Sequence, residues 1–139
     1  MVTEKDILNT GMVGLVEVQN GEILSRSPNS YRQNLVANNL FALLEGYAAL
    51  GLLARGQISF VLHHNADNIE TLRLPDVSYL RTLPKPSRNS FIYGAPDLAV
   101  KVKADYETAA DLETLVQDYL GAGAREVWLV YPREEELYV

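Results

Sequence analysis

The spacing of apolar residues predicts short strands in alternation with two helices. Residues 11–18 and 22–25 read as strands, and Asn20-Gly21 between them suits a two-residue hairpin because both tolerate positive φ. Thr3 ahead of Glu4, Lys5 and Asp6 predicts a short capped helix at the N-terminus. A long helix is expected from Ser27-Pro28 or Ser30 to about Leu50, with Val36, Leu40, Leu43, Leu44 and Tyr47 on one face and Gly51 as its stop. Strands are expected at 57–63 and 72–80, with a turn at Asn65-Ala66-Asp67-Asn68 between them. Pro75 inside the second marks an edge, a bulge or a bend. Residues 81–95 carry the composition of a loop. The strand at 97–103 has two unlike faces: Leu98, Val100 and Val102 on one, Asp97, Ala99, Lys101 and Lys103 on the other. Thr108 caps a helix over 109–120, buried through Leu112, Leu115, Val116, Tyr119 and Leu120, and Gly121 and Gly123 end it. A continuous apolar strand follows at 126–131. Strand, helix and strand in that order predict a right-handed parallel unit. The fold class is α+β or α/β: a mixed, twisted sheet flanked by helices, in one domain over residues 1–139.

Composition narrows the classes. At 47% apolar and 22% charged, the 139-residue chain is ordinary globular protein rather than a disordered one. It has no cysteine, which excludes disulfides and Cys-based zinc sites and fits a reducing, cytoplasmic setting. No apolar run approaches the ~20 residues of a membrane helix, and residues 1–10 lack a signal-peptide pattern. The net charge of −6 argues against strong non-specific nucleic-acid binding, while leaving room for a local basic patch. No P-loop, dinucleotide fingerprint or nucleophile elbow is present.

The chemistry concentrates on Asp76, directly after Pro75, and on the strand at 97–103. In a metal-dependent phosphodiesterase, such an Asp and an acid on the strand hold Mg²⁺. A lysine two residues past that acid steadies the attacking water or the phosphate. Here the strand reads Lys101-Val102-Lys103, with a lysine at the acid's place.

Five blocks in order resemble the Uma-two family. Residues 15–24, LVEVQNGEIL, resemble its "ELIDGEL" hairpin, with Glu17 at the acid. Ser27-Pro28 and the helix after them resemble the next block. Residues 74–79, LPDVSY, resemble "RPDVSFV", and residues 94–100, GAPDLAV, resemble "GAPDLVVEV". Asp111-Leu112 onward, with residues 122–130, AGAREVWLV, resembles "DLxxKxxxY-xxAGVxEYWLVDP". The resemblance implies a restriction-endonuclease-like PD-(D/E)XK fold and Mg²⁺-dependent hydrolysis of DNA. The departures fall on the chemistry: Lys101 replaces the strand acid, Leu115 the helix lysine, Tyr131 the late aspartate and Tyr31 a histidine.

The candidate catalytic set is therefore Asp76, Lys101, Lys103 and Glu17, with Asp76 and Asp97 as metal ligands. Each has a plainer alternative. Asp76 could be a strand-end acid, Lys103 and Glu17 solvated side chains, and Asp97 a turn residue. Lys101 is expected beside Asp76, doing electrostatically what a cation would do; in that arrangement Lys101→Glu would restore metal binding. His63 and His64 point to opposite strand faces and are read as structural. Arg81, Lys85 and Arg88 are solubilising loop residues or phosphate contacts, and Trp128 and Tyr131 are core. Two functions compete: a Mg²⁺-dependent endonuclease whose activity is weakened or lost, and a non-catalytic binding or dimerising module on the same fold. DNA is the expected partner. A homodimer is expected from a bare sheet edge at 127–131.

Overall fold

A computed structural model describes residues 1–46, 51–56, 58–133 and 136–139. Helix α1 (Glu4–Asn9) is capped by Thr3, whose hydroxyl accepts from the Asp6 N–H while the Asp6 carboxylate accepts from the Thr3 N–H. Strands β1 (Val16–Gln19) and β2 (Glu22–Ser25) turn through Asn20 and Gly21, at φ 52° and 74°. Ser30 and Gln33 form a second capping box at the start of α2 (Tyr31–Glu45). Next come β3 (Leu52–Arg55), β4 (Phe60–Asn65), β5 (Asn68–Arg73), β6 (Val77–Leu80), β7 (Ile92–Tyr93) and β8 (Leu98–Val102). Helix α3 (Ala109–Gly121), β9 (Glu126–Tyr131) and β10 (Glu136–Tyr138) complete the order.

The strands make two sheets, not the single one expected. One runs β2-β1-β5-β4-β7 and the other β10-β9-β8-β6-β3. The strand read at 72–80 is really β5 and β6, one in each sheet. Pro75 has no N–H, so the ladder cannot continue across it, and the chain bends from one sheet into the other. β6 pairs antiparallel with β8, Val77 opposite Val100, and β8 pairs parallel with β9 across the α3 crossover.

Each sheet buries its own core. Ile7 of α1 packs on Val16, Val18, Ile69 and Leu72 of the first sheet and on Phe91 just before β7. The face of β8 carrying Leu98, Val100 and Val102 packs on Val36, Leu40, Phe41 and Leu44 of α2. Leu115 and Tyr119 of α3 reach both sheets, meeting Phe60 and Leu62 of one and Ala99 and Val127 of the other. Helix α3 is thus the wedge that holds the joint. Of its expected stripe, Leu120 is exposed instead, as is Leu43 of α2; Tyr47 lies outside the described residues.

Helix α2 ends at Glu45 with Gly46 as its C-cap, so Gly51 is not its stop. A Cβ there would collide with the Leu80 carbonyl oxygen, so the glycine lets β3 dock on β6. β9 is not a bare edge, because β10 pairs with it through Leu137 and Val130, and that basis for a dimer is removed. Among the described residues, no helix is long and apolar enough to cross a membrane.

Candidate active site at the joint between the sheets

Breaking the ladder at Pro75 leaves backbone groups of its neighbours without strand partners, and charged side chains take them. The Leu74 N–H donates to Glu17 Oε2 at 2.9 Å, and the Leu74 carbonyl accepts from Arg26 Nη1 at 2.7 Å. Leu74 is 1% exposed and Asp76 3%, so water cannot serve instead. The bend thereby recruits Glu17 from β1 and Arg26 from the end of β2. Asp76 itself is tied at both backbone ends, its N–H to the Val100 carbonyl at 2.9 Å and its carbonyl to the Gly56 N–H at 2.8 Å.

Both oxygens of the Asp76 carboxylate are engaged. Oδ1 accepts from Arg26 Nη2 at 2.9 Å and from Asn29 Nδ2 at 3.0 Å, while Oδ2 accepts from the Val102 N–H at 2.7 Å. Burial works to lower the Arg26 pKa, but the Asp76 and Glu17 carboxylates outweigh it and the net shift is upward. Arg26 is a fixed cation there.

Glu17 is half of a second ionic group. Its Oε1 lies 3.7 Å from Arg73 Nη1, and the Arg73 guanidinium holds Asp118 of α3 through Nε at 2.9 Å and Nη2 at 2.8 Å. A third pair joins Lys101 Nζ to Glu107 Oε1 at 3.1 Å, and Glu107 also accepts from the Ala104 N–H at 2.8 Å. Arg26 makes the ion pair with Asp76, while Lys101, expected to neutralise that carboxylate, pairs with an acid from the β8–α3 connection. Behind these groups lies Tyr119, 1% exposed, whose hydroxyl has no hydrogen-bond partner among the described residues. Burial, then the Glu17 carboxylate, pushes that hydroxyl well above its ordinary pKa.

Two expected members stand apart. Asp97 sits at the opposite end of the β6–β8 pair from Asp76, where its Oδ2 accepts from the Arg81 N–H at 2.7 Å and its Oδ1 lies 3.9 Å from Arg125 Nε. It cannot share an ion with Asp76. Lys103 leaves the strand, donates from Nζ to the Ala104 carbonyl at 3.2 Å and lines a different cleft. His63 is exposed 3.2 Å from Glu70, and His64 is held at the Ala66 carbonyl, so the two do not form a ligand pair. Leu115, at the place of the helix lysine, is buried in the core. Arg26, Arg73, Glu107 and Asp118 carry most of the site's charge and were not singled out in the sequence. The one available signal was Arg73, a cation inside an apolar run beside Pro75.

The family model described as "Putative restriction endonuclease" (Uma2) matches residues 14–139. The chain belongs to the Uma2 family. Its fold is nuclease-like: four solved chains match it, among them a protein of Anabaena variabilis described as "a putative nuclease belonging to DUF820". That match has a TM-score of 0.69 at 13% identity and covers 99% of this chain and 83% of that one. No curated protein matches.

A Uma2 nuclease reading implies a divalent ion, and the donors here do not fit one. Mg²⁺ wants about six oxygen ligands in near-octahedral geometry with lone pairs free to reach it. Both Asp76 oxygens are occupied by N–H donors, and both Glu17 oxygens face Arg73 or the Leu74 N–H. Among the described residues, no group of three or more His, Cys, Asp or Glu side chains could hold a metal. Three basic side chains stand where an ion's charge would be needed.

Proposed function

We propose that this Uma2 protein keeps the nuclease fold without Mg²⁺-dependent hydrolysis of DNA, and that its own cations replace the ion. The observation that carries this reading is Arg26 on the Asp76 carboxylate at 2.9 Å, with Asp76 buried, Arg26 half-buried, and the carboxylate completed by Asn29 and the Val102 N–H. Arg73 on Glu17 and Lys101 at the acid's position extend the same substitution. A Mg²⁺ ion would have to displace a guanidinium already desolvated against its partner, and like charges a few Å apart repel strongly in such a setting. Recognition without cleavage is the role left to the fold.

The test is calorimetry with Mg²⁺ and Mn²⁺ alongside a plasmid-nicking assay. No metal-dependent nicking is expected. Nicking that Asp76→Ala abolishes would return the chain to the enzymes. The geometry also revises how the frame could be rebuilt. Lys101→Glu alone leaves Arg26 on Asp76 and is expected to bind Mn²⁺ no better than the parent. Arg26→Gln combined with Lys101→Glu frees the Asp76 carboxylate and supplies the missing acid, and is expected to gain Mn²⁺ binding.

A further inference from the structure

Beside the ionic joint a second cleft opens, of about 640 Å³, lined by Ser27, Ser30, Arg32, Lys103, Tyr106 and Arg133 among others. Topology gathers its cations. β8 and β9 are parallel neighbours, so the residues just past their ends, Lys103 and Arg133, emerge side by side; the Lys103 N–H donates to the Val130 carbonyl at 2.9 Å. The first turn of α2 is tied to the same edge, because Gln33 Nε2 donates to the Val102 carbonyl at 3.3 Å, and this turn carries Arg32.

These cations differ from those in the joint. Among the described residues, Asp105 is the one acid lining the cleft. Neither Arg32 nor Arg133 makes an ion pair with a described residue, and Lys103 spends one donor on the Ala104 carbonyl. Glu134 and Glu135, which follow Arg133 in sequence, lie outside the described residues. In a chain of net charge −6, three unmatched cations around one opening are not what composition supplies by default. The end of α2 is not the donor here, since the Gln33 N–H is already taken by Ser30 Oγ; the side chains are.

We propose that this cleft binds a phosphate monoester borne on a nucleotide, either free or at the 5′ end of an oligonucleotide. Arg32 and Arg133 offer planar forks that match phosphate oxygens, and Lys103 adds a point charge. Among the described residues, three cations against Asp105 leave a surplus of two, which suits a monoester, with roughly −1.5 to −2 charge at pH 7, better than a singly charged diester. The volume admits a whole nucleotide. Tyr106, 63% exposed at the mouth and hydrogen-bonded to Ser27, offers a ring on which a base can stack.

The test titrates the full chain with a short 5′-phosphorylated single strand, the same strand without the phosphate, and adenosine monophosphate. The phosphorylated strand is expected to bind about tenfold more tightly than its counterpart, and Arg32→Glu with Arg133→Glu is expected to remove that preference. Both arginines are exposed, so the double variant should keep its fold, checked by circular dichroism; Lys85→Glu, a loop cation outside the cleft, should bind as the parent does. Monophosphate binding as tight as that of the strand identifies a free nucleotide; strand binding alone identifies a chain end. Equal affinity with and without the phosphate, or a preference that survives the double variant, overturns the site. The metal calorimetry above is unaffected either way.

Discussion

The joint at Asp76 and the cleft at Arg32 lie on the same sheet edge and hold similar numbers of cations, yet they are electrostatic opposites. In the joint, Arg73 and Lys101 are buried, Arg26 is half-buried, and each faces a carboxylate. In the cleft, Arg32 and Arg133 are exposed and make no ion pair with a described residue. Desolvation explains the difference. A buried cation is tolerated only when paired, so charge inside the joint is consumed by structure; an exposed one keeps its water and is available to a ligand. Charged residues at the ancestral place of a reaction need not be the ones that meet a substrate.

The largest test of that contrast is stability. Asp76→Ala strands the Arg26 guanidinium, the Asn29 amide and the Val102 N–H, and is expected to cost about 3–5 kcal/mol in urea unfolding. Arg32→Ala removes an exposed charge and should change stability by no more than about 0.5 kcal/mol. Similar values for the two would erase the distinction. Next in size is Gly51→Ala. The added methyl meets the Leu80 carbonyl, so about 1–3 kcal/mol should be lost as β3 is pushed from β6. A thermal midpoint within a degree of the parent would show that the β3–β6 contact at Leu80 yields easily.

How much of this was legible follows from the range of the interactions. The three capping boxes at Thr3, Ser30 and Thr108 and the Asn20-Gly21 turn are local, and local spacing predicts them. The β6–β8 adjacency was reachable through the family blocks. Pro75 signalled a break, but whether the chain bulges, bends or changes sheets depends on which partners lie beyond it. β3 and β10 are 4 and 3 residues long, too short for a period to show. The pairing was least legible. Lys101 was assigned to Asp76 because the two strands are neighbours, whereas Glu107 and Arg26 arrive from connections whose path no periodicity encodes.

A smaller effect concerns acid. Asp111 completes the Thr108 capping box of α3 and lines a separate cleft with Glu17 and Arg73. Hydrogen bonds from the Thr108 backbone, then from its side chain, hold its pKa below the ordinary carboxylate value. A carboxyl with a lowered pKa in the folded state stabilises above its unfolded pKa and loses that contribution as pH falls through the folded one. The α3 end should therefore loosen below the ordinary carboxylate range, and Asp111→Asn should flatten that part of the stability curve. An unchanged acid limb in the variant would show that α3 is held at the joint by Asp118 and Arg73 rather than by its cap.

The smallest expected effect distinguishes a wet joint from a dry one. The Tyr119 hydroxyl is buried beside Glu17, Arg73, Arg26 and Asp76 and finds no partner among the described residues. An unmatched buried hydroxyl costs on the order of 1–3 kcal/mol, and most such groups in folded proteins are satisfied. If the joint is dry, Tyr119→Phe removes that cost while keeping the ring against Phe60 and Leu115, so stability should rise by about 1 kcal/mol. If a water bridges the hydroxyl to the surrounding carboxylates, the same substitution strands it and stability should fall by a similar amount. Arg26, Arg73 and the Asp76 carboxylate already have protein partners, which favours the dry outcome. A measured loss in Tyr119→Phe would show that the joint retains room for a solvent molecule, and with it room for a small ligand that its side chains alone do not reveal.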